Sequence, residues 1–173
     1  MKRIEHLNHA RFLTFSCYRN LPLLGNLLIR DLFTQCLSDS RDRLGFRLHA
    51  WATMPDHVHL IVRPRDESQT VKAILRGLKQ SVSRRVLARW REIDAPILER
   101  IEDRHGTARF WQRGGGYDRN LFSREEIDEK VGCMHANPVR AELVGSPKDW
   151  VWSSSRWWAG QREEGVVAMY RLE

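Results

Sequence analysis

The chain has 173 residues, 42% of them hydrophobic and 29% charged, with 29 Lys and Arg against 22 Asp and Glu for a net charge of +7. That length suits one domain with a sizeable core. No apolar run approaches the length of a membrane span, and the start, Met1-Lys-Arg-Ile-Glu-His-Leu-Asn8, has no signal-peptide segment. The three cysteines, Cys17, Cys36 and Cys133, are odd in number and widely spaced, which fits neither a disulfide framework nor a structural zinc set. A reducing cytoplasm is the expected compartment. The basic excess, mostly arginine, favours a polyanionic partner, most simply nucleic acid, and no membrane.

Arg11-Phe-Leu-Thr-Phe-Ser-Cys-Tyr-Arg19 is aromatic and β-branched and reads as a first strand. Leu27 to Leu44 carries Leu28, Leu32, Phe33, Cys36 and Leu37 at helical spacing, and Gly45 ends it. Phe46 to Thr53 reads as a second strand, Met54-Pro-Asp56 as a tight turn, and His57 to Arg63 as a third strand closing a hairpin. Thr70 to Trp90 is a second long helix, apolar at Val71, Ile74, Leu75, Leu78, Val82, Val86 and Leu87. Its other face holds Lys72, Arg76, Lys79, Arg84, Arg85 and Arg89, an excess of one sign that suits phosphate contact better than a merely solvated face.

Residues 91 to 109 read as a connection or short helix. Arg109-Phe-Trp-Gln-Arg113 begins a fourth strand, which Gly114-Gly115-Gly116 kinks or bulges. Ser123-Arg-Glu-Glu126 matches a capping box, opening a helix that runs towards Ala136 and stops near Asn137, since Pro138 disfavours helix in the residue before it. Trp150, Trp152, Trp157 and Trp158 read as a packing cluster. The order βαββαβ plus a helix gives an α+β, ferredoxin-like sandwich: an antiparallel sheet, helices on one face, and a C-terminal helix. The expected domain covers 1–155, followed by a tail over 156–173.

The sharpest local signal is His57-Val58-His59. Residues i and i+2 of a strand face the same way, so both imidazoles can converge on one metal ion while Val58 points away. The same pattern also arises as a surface pair or as two half-buried, hydrogen-bonded histidines.

Met54-Pro-Asp-His-Val-His-Leu-Ile-Val62 resembles the HUH motif of the single-tyrosine transposases. Phe110-Trp-Gln-Arg113, Tyr117-Asp-Arg119, His135-Ala-Asn-Pro-Val-Arg140 and Trp152-Ser-Ser154 resemble segments of their REP-associated branch. The resemblance runs from about Phe12 to Ser155. It implies a protein that binds single-stranded or hairpin DNA, as monomer or homodimer. It also implies metal-dependent strand cleavage and rejoining, in which a helix tyrosine attacks the phosphate and leaves a 5′-phosphotyrosine and a free 3′-hydroxyl. The ion would be Mg2+ or Mn2+, held by His57, His59 and, from the helix, Asn137. Arg113 and Arg119, within the resembling segments, join Arg76, Lys79, Arg84 and Arg85 as expected DNA contacts.

The chain departs from that pattern at one position. The nucleophilic tyrosine falls four residues before the Asn, and here that residue is Cys133. A thiolate is a competent nucleophile, but its sulfur lies closer to the backbone than a tyrosine hydroxyl, and a small cysteine filling a helix face is the plainer reading. Tyr117, after three glycines, is the one plausible substitute among Tyr18, Tyr117 and Tyr170. Two function classes follow: a transposase using Cys133 or Tyr117, and a silenced relative that only binds DNA hairpins. A hydrolase in which the histidines activate water ranks behind both, because no carboxylate-rich cluster accompanies them.

Overall fold

The computed structural model describes residues 9–66, 69–114, 116–162, 167, 169 and 170. Strand β1 (Ala10–Ser16) leads through a single 3-10 turn to helix α1 (Leu27–Leu44). Asn26 caps α1 by accepting from the Leu28 N–H at 2.8 Å, and Gly45 ends it at φ 71°. Strands β2 (Arg47–Thr53) and β3 (His57–Arg63) form the expected hairpin, with Met54 N–H donating to His57 O at 2.8 Å. Helix α2 (Val71–Glu92) is capped by the Thr70 hydroxyl, and a short α3 (Ile97–Ile101) follows.

The sheet order is β2-β3-β1-β4, every neighbouring pair antiparallel, which is the split βαβ arrangement the element order called for. Its two faces carry different loads. Leu13, Phe15, Leu48, Val58, Leu60 and Val62 point into the main core beneath α1 and α2, with Phe33, Leu37, Ile74, Leu78 and Val82. Ala10, Ala50, Ala52, Ile61 and Leu121 point the other way, under Ile127, Val131 and Met134 of helix α4 (Arg124–His135). Period-two alternation therefore puts His57 and His59 on the α4 face of a central strand.

Two boundaries differ from the sequence expectation. The fourth strand is Tyr117–Leu121, not the stretch from Arg109 to Arg113. Phe110 and Trp111 are core plugs, 1% and 7% exposed, and only a single bridge joins Trp111 to Cys17. Gly114 and Gly116 lie between that bridge and the true ladder. Gly116 takes φ +71°, and a Cβ there would stand 1.9 Å from Thr14 O, so no larger residue fits. The second difference lies at Pro138. Helix α4 ends at His135 with Ala136 as C-cap, but the chain then makes one more helical turn, α5 (Asn137–Arg140), with Pro138 in its first turn.

Beyond α5, the tryptophans pack as expected. Trp150 Nε1 donates to Thr53 O at 2.9 Å, and Trp158 Nε1, from α6 (Ser155–Trp158), donates to His49 O at 2.9 Å. Backbone bonds from Thr53 N to Trp152 O, Ser154 N to Trp51 O and Tyr170 N to Leu48 O line the outer edge of β2. No helix among the described residues is long and apolar enough to cross a membrane.

Candidate metal and nucleic-acid site

The turn that joins β2 to β3 presets the site. Its carbonyls are held by the end of β1 and the loop after it, Cys17 N–H donating to Asp56 O at 2.7 Å and Leu24 N–H to Pro55 O at 2.8 Å. Asp56 Oδ1 in turn lies 2.7 Å from His57 Nδ1. A carboxylate only accepts, so Nδ1 carries a proton and Nε2 points into the site. The Thr14 hydroxyl, across the β1–β3 ladder, lies 2.8 Å from His59 Nδ1 and holds the second ring in its orientation. Such partners behind imidazoles orient metal ligands. Burial pushes the His59 pKa down to about 3, with further contributions from His57 and Arg140, so its ring is neutral near neutral pH.

The two Nε2 atoms face each other at 3.0 Å, and Asn137 Nδ2 lies 2.8 Å from His59 Nε2. Residues 78 positions apart thus meet where α5 begins, directly after the α4 C-cap at Ala136. At this separation one ring N–H can donate to the other ring nitrogen, and the spacing also matches that of two ligands on one ion. Ligands at right angles about an octahedral ion, each ~2.1 Å from it, stand ~3.0 Å apart, so the pair fits such an ion. Asn137, as placed, turns its amide nitrogen to His59 and its Oδ1 to the guanidinium of Arg140; ligation requires the amide to rotate. Among the described residues no three His, Cys, Asp or Glu side chains cluster as a metal-binding group.

Cys133 does not fill a helix face. It is the one exposed cysteine among the described residues, and Arg140 Nη2 donates to its carbonyl at 2.6 Å and lies 3.5 Å from its Sγ. Cys17 and Cys36 are buried, and burial pushes the Cys17 thiol up to about 12. Tyr117 pairs with Thr14, which pairs with His59, so Tyr117, Thr14 and His59 form one row across three strands. Neighbouring strands lie ~4.8 Å apart, so the row spans ~10 Å. Tyr117 is 55% exposed and meets Phe12 edge-on, while the Phe12 ring stacks on His59.

The expected DNA contacts divide between two regions. Arg76, Lys79, Arg84 and Arg85 lie on α2, across the sheet from the histidines. Arg76 and Arg84 are exposed, and Arg85 Nη2 is 3.4 Å from Asp39. Lys79 is drawn inward: its Nζ donates to Gln112 O and Gly114 O at 3.1 Å each, and burial lowers its pKa. An open groove of about 730 Å3 between α2 and residues 108–114 is lined by Arg43, Lys79, Arg84, Arg109 and Arg113. Arg119 stands on the histidine face, 3.1 Å from Glu126 Oε1.

Three further residues shape the site: Asp56, Thr14 and Arg140. Asp56 and Arg140 lie in the Met54–Val62 and His135–Arg140 segments, but only the register and the α5 turn show what they touch. His135 and Ser154, from two separate resembling segments, also meet: His135 Nε2 lies 2.9 Å from Ser154 Oγ, which receives the Trp51 N–H at 2.9 Å. That buried link ties α4 to β2 next to Asn137.

The sequence profile of the family described as "Transposase IS200 like" matches residues 6–114. No curated protein matches the sequence. Among solved structures, a REP-associated tyrosine transposase bound to a REP hairpin superposes with a TM-score of 0.72 at 15% identity, over 100% of this chain and 92% of that one. The structure of a candidate transposase from Deinococcus radiodurans R1 gives a TM-score of 0.50 at 18% identity, over 77% of this chain and 94% of that one. At these identities the superpositions speak for a shared fold. The profile does more, since it spans β1 to the glycine segment, well over half of the sequence, and includes both histidines; the chain belongs to the IS200-like transposase family.

Proposed function

We propose that the chain binds single-stranded or hairpin DNA, with Mg2+ or Mn2+ held by His57, His59 and Asn137 beside the bound strand. The observation that carries this reading is the convergence of both Nε2 atoms and the Asn137 amide within 3.0 Å of one another's partners, backed by Asp56 and Thr14. Bound there, the ion would polarise a phosphate of the strand. Arginines supply the backbone contacts: those lining the groove beside α2, and Arg119 on the histidine face. The REP-hairpin complex of the structural relative supports a hairpin as the ligand.

Cleavage is reduced or lost with the replacement of the expected tyrosine by Cys133. The thiol is exposed and next to a guanidinium, but it ends well short of the reach of a phenol, and Arg140 is bonded across it. A second reading keeps cleavage and assigns attack to Tyr117. It is favoured by the cross-strand row that puts this exposed phenol on the histidine face.

The deciding experiment incubates the protein with labelled hairpin DNA and Mn2+ and resolves the products on a denaturing gel. Binding without adduct or cleavage is the expected result. An adduct lost in Tyr117→Phe establishes the second reading, and one lost only in Cys133→Ser establishes the thiolate. Turnover without adduct would mean that the histidines activate water, and failure to bind any hairpin would overturn the proposal. His57→Ala with His59→Ala should abolish Mn2+ binding.

A further inference from the structure

We propose that Ser154 is a positioning residue for Asn137: acting through His135, its hydroxyl sets how closely the third ligand approaches the two histidines. This rests on the reading of His57, His59 and Asn137 as an ion site, and it gives a part to Trp152-Ser-Ser154, a segment outside that ligand set. The segment is built onto the sheet. Thr53 N–H donates to Trp152 O and Ser154 N–H to Trp51 O, both at 2.9 Å, and Ser153 forms an isolated bridge with Ala52. Ala52 is the β2 partner of His59, so Ser153 extends the cross-strand row that holds His59, Thr14 and Tyr117. Backbone bonds thereby fix Ser154 relative to the histidine strand.

Helix α4 is fixed to Ser154 in turn. Its last residue, His135, is buried, with Nε2 2.9 Å from Ser154 Oγ. That hydroxyl accepts the Trp51 N–H at 2.9 Å, which leaves its one hydrogen for His135 or, at 3.2 Å, for Trp51 O. Met134 shares a buried cluster with Ala50 and Ala52, small residues that let the helix end come this near to β2.

One residue, Ala136, separates His135 from Asn137, and its N–H still bonds to Gly132 O at 3.1 Å, so His135 and Asn137 move as one body. Helix residues two apart do not face each other. Ser154 therefore reaches Asn137 through the helix end and not by contact. The Asn137 amide ends 2.8 Å from His59 Nε2, and distances from a ligand to its ion tolerate only ~0.2 Å of error. Without the Ser154 hydroxyl, His135 Nε2 and the Trp51 N–H both lose a buried partner, and the end of α4 is released from β2.

Calorimetric titration of the full chain with Mn2+ tests this, at a temperature where every variant is folded. Ser154→Ala should weaken Mn2+ binding at least about tenfold, the usual effect of removing a group that orients a ligand. Ser154→Cys, close in size but a weaker hydrogen-bonding group, should show a smaller loss of the same kind. Ser153→Ala removes a buried hydroxyl that donates to Trp150 O in the same segment, and it should bind Mn2+ as the wild type does. In an Asn137→Ala background Ser154→Ala should have no further effect, a result that general loosening would not give. If Ser154→Ala binds Mn2+ as tightly as the wild type, or weakens binding equally with and without Asn137, the positioning role is wrong while the ion site stands. If the wild type takes up no Mn2+, the ion-site reading has failed and this inference with it.

Discussion

Gly116 and Gly106 offer a controlled pair of substitutions, because their φ angles are +71° and +70° but their surroundings differ. Gly106→Ala meets nothing within 4 Å, so it carries only the strain of a left-handed alanine, ~1–2 kcal/mol. Gly116→Ala adds a Cβ 1.9 Å from Thr14 O and 3.0 Å from the Phe15 Cα, both backbone atoms that cannot swing aside. Relief requires β1 and β4 to separate by more than an ångström, and overpacking of that kind costs a further ~1–3 kcal/mol. Urea denaturation should rank the chains wild type, Gly106→Ala, Gly116→Ala, with the last pair separated by that further amount at unchanged slope. Because Thr14 also orients His59, Gly116→Ala should weaken Mn2+ binding, whereas Gly106→Ala leaves it intact. Equal denaturation midpoints for the two variants would refute the close contact of Gly116 with β1.

Arg11 and Asp118 form a buried pair at 2.7 Å, their side chains 4% and 6% exposed. Asp118→Ala leaves the guanidinium buried without its carboxylate and should cost ~3–5 kcal/mol by thermal or urea unfolding; a loss under 1 kcal/mol contradicts the burial. His49 lies 2% exposed, and burial pushes its pKa down to about 4. Between its ordinary value and about 4 the unfolded chain takes up a proton the folded chain refuses, so stability falls as pH drops through that window, by ~3 kcal/mol in all. His49→Gln should flatten the slope without abolishing it, since His135, also pushed to about 4 by burial, acts with the same sign. Arg140→Ala frees the Asn137 Oδ1 and removes a cation from beside the histidines, so Mn2+ affinity measured by titration calorimetry should rise about tenfold, or ~1.4 kcal/mol; weaker binding would show that Arg140 supports the ion site instead of opposing it.

Elements with local punctuation were legible. Helix α1 begins and ends where its sequence says because Asn26 and Gly45 supply cap and stop within a few residues. The hairpin was legible from Met54-Pro-Asp56, and α4 from the Ser123 cap, whose hydroxyl receives the Glu126 N–H at 3.2 Å. The fourth strand was not, because its residues invert the usual signal. Phe110 and Trp111 look like a strand and serve as plugs, while Tyr117-Asp-Arg-Asn-Leu121 looks like a loop, with Leu121 its one buried apolar residue. At the site, His57 and His59 follow from period-two alternation alone. Asn137 came only from the resemblance, because its approach to His59 depends on how α4 lies across the sheet. The roles of Thr14 and Arg140 are set by the β1–β3 register and the turn at Pro138, which no short window contains.

The bonds along the outer side of β2 bear on how the protein meets other chains. An open sheet edge is a template for pairing, and natural proteins protect such edges. Here Leu48, Trp51 and Thr53 already bond to Tyr170, Ser154 and Trp152 of the same chain. Residues late in the sequence act as a built-in edge guard, and a foreign strand could not add at β2 without displacing them. Among the described strands that leaves β4 as the exposed margin, a strand of only five residues on which Arg119 carries a half-exposed charge. Growth of the sheet from copy to copy is thus obstructed on one side by the chain's own late residues and limited on the other by the shortness of the strand and its arginine.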